Sequence, residues 1–555
     1  MNIDNKHLFL ISQILLLWGI IFYIYSLYKT GIISDIPPRD TFGLLDELNF
    51  FFYPSIIVVT ISIIIQIINS RTKDYYFVAS LLVLATILWA TPTIVEKNPR
   101  TWDAWGVGFQ TYNILQNGEI DFTGTDYYLS YLQFPGSFIF FAVFILVSRL
   151  DLFYFVKVYS FFSIPLTVLL LYYMYIFLTR TISKDMQTIS ENIQTARFSA
   201  LIFILLNSYI HLHISPENIG WLLFFVLITL LLSIKKSVMF KLLFYIILFA
   251  IVITHPTTGI LTFLFFSFMT ILNKFIGKDS IDKYYIIWIM FASMFISWLI
   301  FMSQKMTENN INNILTITSS IVANESMSAS IIPIIHSLPQ NIRLYTFAIG
   351  MVITLIYIIK KPNLTFSALF LSSISFYFFS QFSNIAFIER TYQIGYIIIS
   401  LTIAYMIVNI NHLSVKFLPI IFLISTSTLY VYEYRDINPD NLISGYDFIL
   451  DNFNNSFTIL QISSQSQIYL LIDLKNVHKL DFMKPRMENI LKDKRNNSKI
   501  SFPRVIGLSD KSEGEAIKMG FGKEYDYIKD YIDNNRTFNK IYETTIMKTY
   551  VMSEI

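Results

Sequence analysis

Apolar runs about 20 residues long recur along this chain from Leu8 to Tyr430, and each suffices to cross roughly 30 Å of hydrocarbon as a helix. Backbone inside lipid must satisfy its own hydrogen bonds, so a chain dominated by such runs folds as a bundle of membrane-spanning helices. A closed barrel is excluded, because its strands would alternate apolar and polar residues in segments of about ten. The composition agrees: 54% of residues are hydrophobic and 14% charged, with mean hydropathy +0.55, unlike a soluble domain. Without a single Cys, disulfides, zinc-thiolate sites and cysteine nucleophiles drop out. The net charge of +3 is spread over loops and offers no basic patch for nucleic acid. The first run follows one Lys and precedes no small-residue cleavage site, so it reads as a true span.

Spans are expected at about 8–28, 51–69, 75–92, 155–178, 198–213, 218–234, 239–254, 256–273, 285–303, 343–360, 364–380, 392–409 and 414–433, about thirteen in all. Orientation follows from Lys and Arg in short loops, which resist translocation. One set of alternate loops holds Arg71, Lys73, Arg180, Lys184, Arg197, Lys235, Lys236, Lys274, Lys278, Lys283, Lys360, Lys361 and Lys416, and the other set is sparse. The rich set is expected in the cytoplasm, with the N-terminus inside and the C-terminus outside. This holds only if residues 134–147 (FPGSFIFFAVFILV) do not cross; the stretch is short, begins with Pro-Gly, and is expected to be interfacial or re-entrant. Long outer loops then fall at about 93–152 and 304–342.

The predicted fold class is thus an all-α polytopic membrane protein over residues 1–434, followed by a small extracytoplasmic α/β domain over 435–555. In that second part the apolar runs shorten to five to eight residues. SFTILQIS, QIYLLIDL, PRVIGLS and NKIYETTIMKTYVM read as strands, and NLISGYDFILDNF and KEYDYIKDYIDNN as helices. Glycosylation sequons at Asn324, Asn454, Asn496 and Asn535 all fall on the predicted outer face.

The residues able to carry chemistry cluster at outer boundaries. Asp103 lies between Trp102 and Trp105, just past a membrane exit and before a stretch of helical spacing. A carboxylate there can serve as a general base, or help hold a divalent cation such as Mg or Mn, against a substrate with a lipid tail. Equally, it can cap the following helix, with the tryptophans as interface anchors. NSYIHLHISPENIGW supplies His211, His213 and Glu217 in a short turn. Glu217 can share a cation or proton with Asp103, or merely sit in the first turn of a helix begun by Ser215 and Pro216. His255, before Pro256, either makes a turn or hydrogen-bonds a phosphate. Glu389 and Arg390 sit at an outer span end, where Arg suits a phosphate through two parallel hydrogen bonds or snorkels. Asp126, Tyr127 and Tyr128 look like sugar-stacking or loop-packing residues, and Glu325 has no evident partner.

The order of these features resembles the GT-C superfamily of polytopic glycosyltransferases, which includes oligosaccharyltransferase catalytic subunits, protein O-mannosyltransferases and lipid A aminoarabinose transferases. The matching pieces are WDAWGVGFQTYNILQNGEI, then QFPGSFIFFAVFILVSRLDLFYFVKVYSFFSIPLTVLLLYYMYIFLTR, then ISPEN, and finally HPTT and ER, across most of residues 75–435. The terminal strand is like the end of many archaeal members. The resemblance implies an acidic residue in the first outer loop, matched by Asp103, a second-loop acid, matched by Glu217, and a donor-phosphate group, matched by Arg390. Two extra spans precede the usual first one, the second loop has a lone Glu, and the acceptor motif of the WWD type is absent. The implied activity is transfer of a sugar from a polyprenyl-phosphate-linked donor to a lipid-linked glycan, glycolipid or protein in the cell membrane. A transporter or flippase of lipid-linked glycans is the alternative.

Overall fold

The computed structural model describes residues 5–33, 44–69, 72–96, 99, 102–120, 122, 132–182, 189–207, 213–233, 238–276, 282–304, 307, 338–383, 386–409, and five strands between 459 and 552. The expected last span, 414–433, and both expected helices after 435 lie outside these residues. Among the described residues, seven helices are long and apolar enough to cross a membrane: Asn5–Thr30, Asp74–Val95, Leu152–Thr181, Pro216–Ser233, Pro256–Asn273, Tyr284–Phe301 and Thr391–Asn409. Shorter apolar helices include Phe52–Ile68, Gly136–Ser148, Val238–Thr254, Leu344–Lys360 and Leu364–Phe378. The protein is a polytopic helical membrane protein. Its large aliphatic and aromatic core contains Ile63, Phe77, Tyr172, Phe203, Phe265 and Ile399, while Leu10, Leu17, Ile246, Ile300 and Val352 face outward as a lipid-contacting surface.

Side-chain hydrogen bonds show that successive long helices run in alternating directions between two ends. At one end the Asn69 amide donates to the Asn5 carbonyl (2.9 Å), and Asn363 donates to the carbonyl of Thr181 (3.1 Å). Arg197 lies at this same end, and we call it the arginine end. At the other, the backbone N–H of Asn49 donates to the Thr30 hydroxyl (3.0 Å), and Trp89 Nε1 donates to the Asn207 carbonyl (2.9 Å). That second end carries His213 and His255, and is the histidine end.

The fifth expected span needs correction. Its helix is Ile189–Leu206, beginning well before 198 and ending short of 213. Arg197, counted above among loop residues, lies inside it and is 4% exposed. It donates to Asp74 Oδ1 (2.7 Å) and to the Thr72 carbonyl (2.6 Å), with its guanidinium over the Phe77 ring. Tyr172 donates to the same Asp74 oxygen (2.7 Å). A guanidinium paired with a carboxylate and a backbone carbonyl can be buried, even though its Nε finds no hydrogen-bond partner among the described residues, so the helix continues past the point where its apolar pattern stops.

Residues 134–147 behave as a hairpin arm. The helix Gly136–Ser148 is 13 residues long, about 20 Å, and turns through Arg149 (φ 55°) into the 31-residue helix Leu152–Ile182. Phe144 stacks on Phe155 at 5.0 Å and Phe141 meets Tyr159 edge-on at 5.6 Å. The two arms are therefore antiparallel. Ser137 Oγ donates to the Pro216 carbonyl (3.3 Å) and Tyr159 to Asn218 Oδ1 (2.8 Å), so the hairpin's open end is level with Pro216. Its closed end points away from the arginine end.

After the bundle, β1 (Ile459–Gln461), β2 (Leu480–Phe482), β3 (Val505–Ser509), β4 (Phe538–Glu543) and β5 (Met547–Met552) form one sheet of order β2-β1-β3-β5-β4. β1 is parallel to β2 and β3, and β5 is antiparallel to β3 and β4. Three of the four expected strand segments contain strands. QIYLLIDL lies outside the described residues, β2 was not foreseen, and the terminal segment divides into two paired strands with an irregular register between Lys540 and Tyr542.

Candidate functional site

At the histidine end, two helix starts are set by proline. Ser215 Oγ accepts the N–H of Asn218 (3.1 Å), capping the helix Pro216–Ser233 with Pro at its first position. His255 is extended (φ −159°, ψ 131°) before Pro256, as the clash with the proline ring requires. The chain thus folds back from Val238–Thr254 into Pro256–Asn273 through one residue. Glycines let these ends approach. A Cβ on Gly220 would lie 2.3 Å from Thr258 Oγ1, and one on Gly136 would lie 2.8 Å from Thr254 Oγ1. The first turns of the Pro216 and Pro256 helices, the last turn of Val238–Thr254 and the start of Gly136–Ser148 therefore meet.

Polar side chains line this junction. His255 is 2% exposed, and its Nδ1 pairs with the Thr257 hydroxyl at 2.5 Å. Half-buried Glu217 accepts from Trp221 Nε1 (3.2 Å) one turn along its helix. Ser160 donates to Thr93 (2.9 Å), and Trp298 Nε1 to the Gln133 carbonyl (3.0 Å). Glu96, which closes the helix Thr91–Val95 and bridges to Ile33, is buried at 1% exposure. The span leading to it contains a π-helical turn, Thr86–Ala90; its Trp89 is tied to Asn207, and Thr91 beyond it to Tyr23.

A second, smaller apolar core binds the two candidate acids' elements together. Ala104 and Val107 from the helix Trp102–Asn117 pack with Phe138, Phe141, Tyr159 and Ile214. Asp103 precedes Ala104 and Glu217 follows Ile214 by three residues, so the structure brings their backbone segments to one core. Asp103, Trp102 and Trp105 form the first turn of that helix, and their side chains lie outside the described residues, as do His211, Asp126, Tyr127 and Tyr128 entirely. His213 is half-buried just before the Ser215 cap. Glu389 and Arg390 belong to the helix Ala386–Asn409, which starts at the histidine end because Leu364–Ser383 leaves from Asn363 at the arginine end. Their side chains are outside the described residues. That helix packs on Ile189–Leu206, Leu338–Lys360 and Leu364–Ser383, so it belongs to the main bundle, apart from the smaller core. Asn324, Glu325 and the three later sequons also fall outside.

Sequence reasoning missed Tyr159, Asn218, Ser137 and Glu96. Asn218 was visible beside Glu217, but Tyr159 reads as one more aromatic in an apolar run. The described donors do not assemble a divalent-cation site: no group of three His, Asp or Glu gathers among the described residues, and Glu217 and His255 are engaged by Trp221 and Thr257. What the junction holds is a buried cluster of hydroxyls around one imidazole, His255, with half-buried Glu217 in the first turn of an adjoining helix.

Compared with known proteins, the chain matches no family model and no curated protein sequence.

Proposed function

We propose that this protein is a membrane glycosyltransferase of GT-C type, moving a sugar from a polyprenyl-phosphate-linked donor to a lipid-linked glycan, glycolipid or protein. In this reading the chain makes about thirteen spans in the cell membrane. The arginine end faces the cytoplasm, where Lys and Arg are retained, and the histidine end and an α/β domain over 435–555 lie outside. The observation that carries it is the shared small core, which holds the segment starting at Asp103 against the one carrying Glu217 at the end opposite Arg180 and Arg197.

The donor cannot leave the bilayer, so its phosphate must be met within or at the edge of the outer leaflet. Asp103 removes the proton from the acceptor hydroxyl as that oxygen bonds to the anomeric carbon, while the bond from carbon to phosphate oxygen breaks and its electron pair stays on the phosphate. Arg390 and His255 stabilise the charge on the departing phosphate, and Glu217 orients the sugar. The test supplies membranes bearing the protein with a panel of polyprenyl-phosphate-linked sugars. Asp103→Asn is expected to lower transfer by roughly 10²-fold or more without reducing folded protein; undiminished transfer overturns the proposal. Movement of lipid-linked glycan across proteoliposomes without transfer selects the transporter alternative.

A further inference from the structure

Helices meeting at the histidine end are short. Pro216–Ser233 and Pro256–Asn273 have 18 residues each and Val238–Thr254 has 17, about 26 Å at 1.5 Å per residue, at the short end of what crosses a hydrocarbon layer of roughly 30 Å. The neighbouring helix Leu152–Ile182 has 31 residues, about 46 Å. Part of its excess lies at the histidine end: Tyr159 is level with Asn218, and residues 152–158 extend beyond it, paired with Gly136–Ser148.

The surface of that overhang is that of a membrane span. Ile139, Phe140, Val143, Leu146 and Val147 are 41%, 46%, 53%, 66% and 81% exposed, and no charged residue occurs from Phe134 to Ser148. The exposed apolar face continues along the partner arm through Phe161, Phe162, Leu166, Leu169 and Tyr173 into the body of the span. Charges appear where the hairpin closes, at Arg149 and Asp151. Lys157, half-buried on the partner arm, is long enough to snorkel toward that level.

We propose that the hairpin of residues 136–159 is immersed in lipid hydrocarbon with its closed end at the headgroups, so that Pro216, Thr254 and His255 lie sunk within the leaflet, behind a lipid-facing wall. The occupant of the exposed face is the acyl chains of the bilayer, because the same face runs unbroken onto the span below it. With the hairpin along the membrane normal, Ser137 sits about 17 Å below the closed end, and tilt reduces that depth. A substrate reaching the junction must then have a membrane-dissolved tail or a path down from the aqueous side. This inference stands whether or not the protein transfers sugars.

The chain has no Cys, so single-cysteine variants report one site each. Nitroxides at Phe140→Cys and Val143→Cys, in the full-length protein reconstituted in phosphatidylcholine bilayers, are expected to collide several-fold more with oxygen than with an aqueous nickel chelate. Arg149→Cys is expected to reverse that preference. Dominant nickel collisions at both stem positions place the hairpin in water and overturn the proposal. Low accessibility to both reagents means that a second copy of the chain covers the face, and overturns it equally. Both stem positions are exposed, and failure of one to fold leaves the other to decide.

Discussion

The two ends of the bundle are closed in different ways. At the arginine end a single guanidinium ties three helices, engaging Asp74, the Thr72 carbonyl and, through Asp74, Tyr172. Among the described residues, the histidine end includes neutral hydroxyl and amide ties between helices, such as Tyr159 with Asn218 and Ser160 with Thr93. Hydrogen bonds to charged groups contribute roughly twice as much as neutral ones. The arginine end is therefore the stronger clamp, while the histidine end is held by many weak bonds and close backbone approach.

This contrast can be broken by substitution. Arg197→Met is expected to have the largest effect on stability, about 3 kcal/mol, read as a lower thermal unfolding midpoint in detergent; a change under about 0.5 kcal/mol would remove the clamp from the comparison. Gly220→Val should cost about 2 kcal/mol by forcing apart two helices at a stiff, β-branched Thr258. Because it shifts the histidine junction, it should lower any activity of the site by more than its stability loss explains. Tyr159→Phe removes one buried neutral bond, and a loss near 1 kcal/mol is expected. A double-mutant cycle with Asn218→Ala should show the two effects failing to add. Ser160→Ala should cost least, about 0.5 kcal/mol, and an effect larger than that of Arg197→Met would invert the comparison.

Part of this arrangement is legible in the sequence. Pro216 and Pro256 announced helix starts because proline at a first helical position is locally determined, and Ser215 announced its cap. Phe134 to Val147 stands apart in the sequence by its short apolar length, and in the structure it forms the helix Gly136–Ser148, antiparallel to the start of Leu152–Ile182. Arg197 was misread as a loop residue, since its burial depends on Asp74, more than a hundred positions away. The second strand, Leu480–Phe482, was likewise missed, being too short for a periodic pattern.

Membrane residence, the approximate placement of spans and the positions of candidate acids follow from composition and local spacing, because lipid imposes the same demand on every crossing segment. Which helix ends share a level, how far the hairpin overhangs them, and that Ala104 and Ile214 pack in one core were settled only by tertiary packing. Those depend on contacts such as Gly220 against Thr258 and Phe144 against Phe155, between residues whose separation along the chain carries no signal of their proximity.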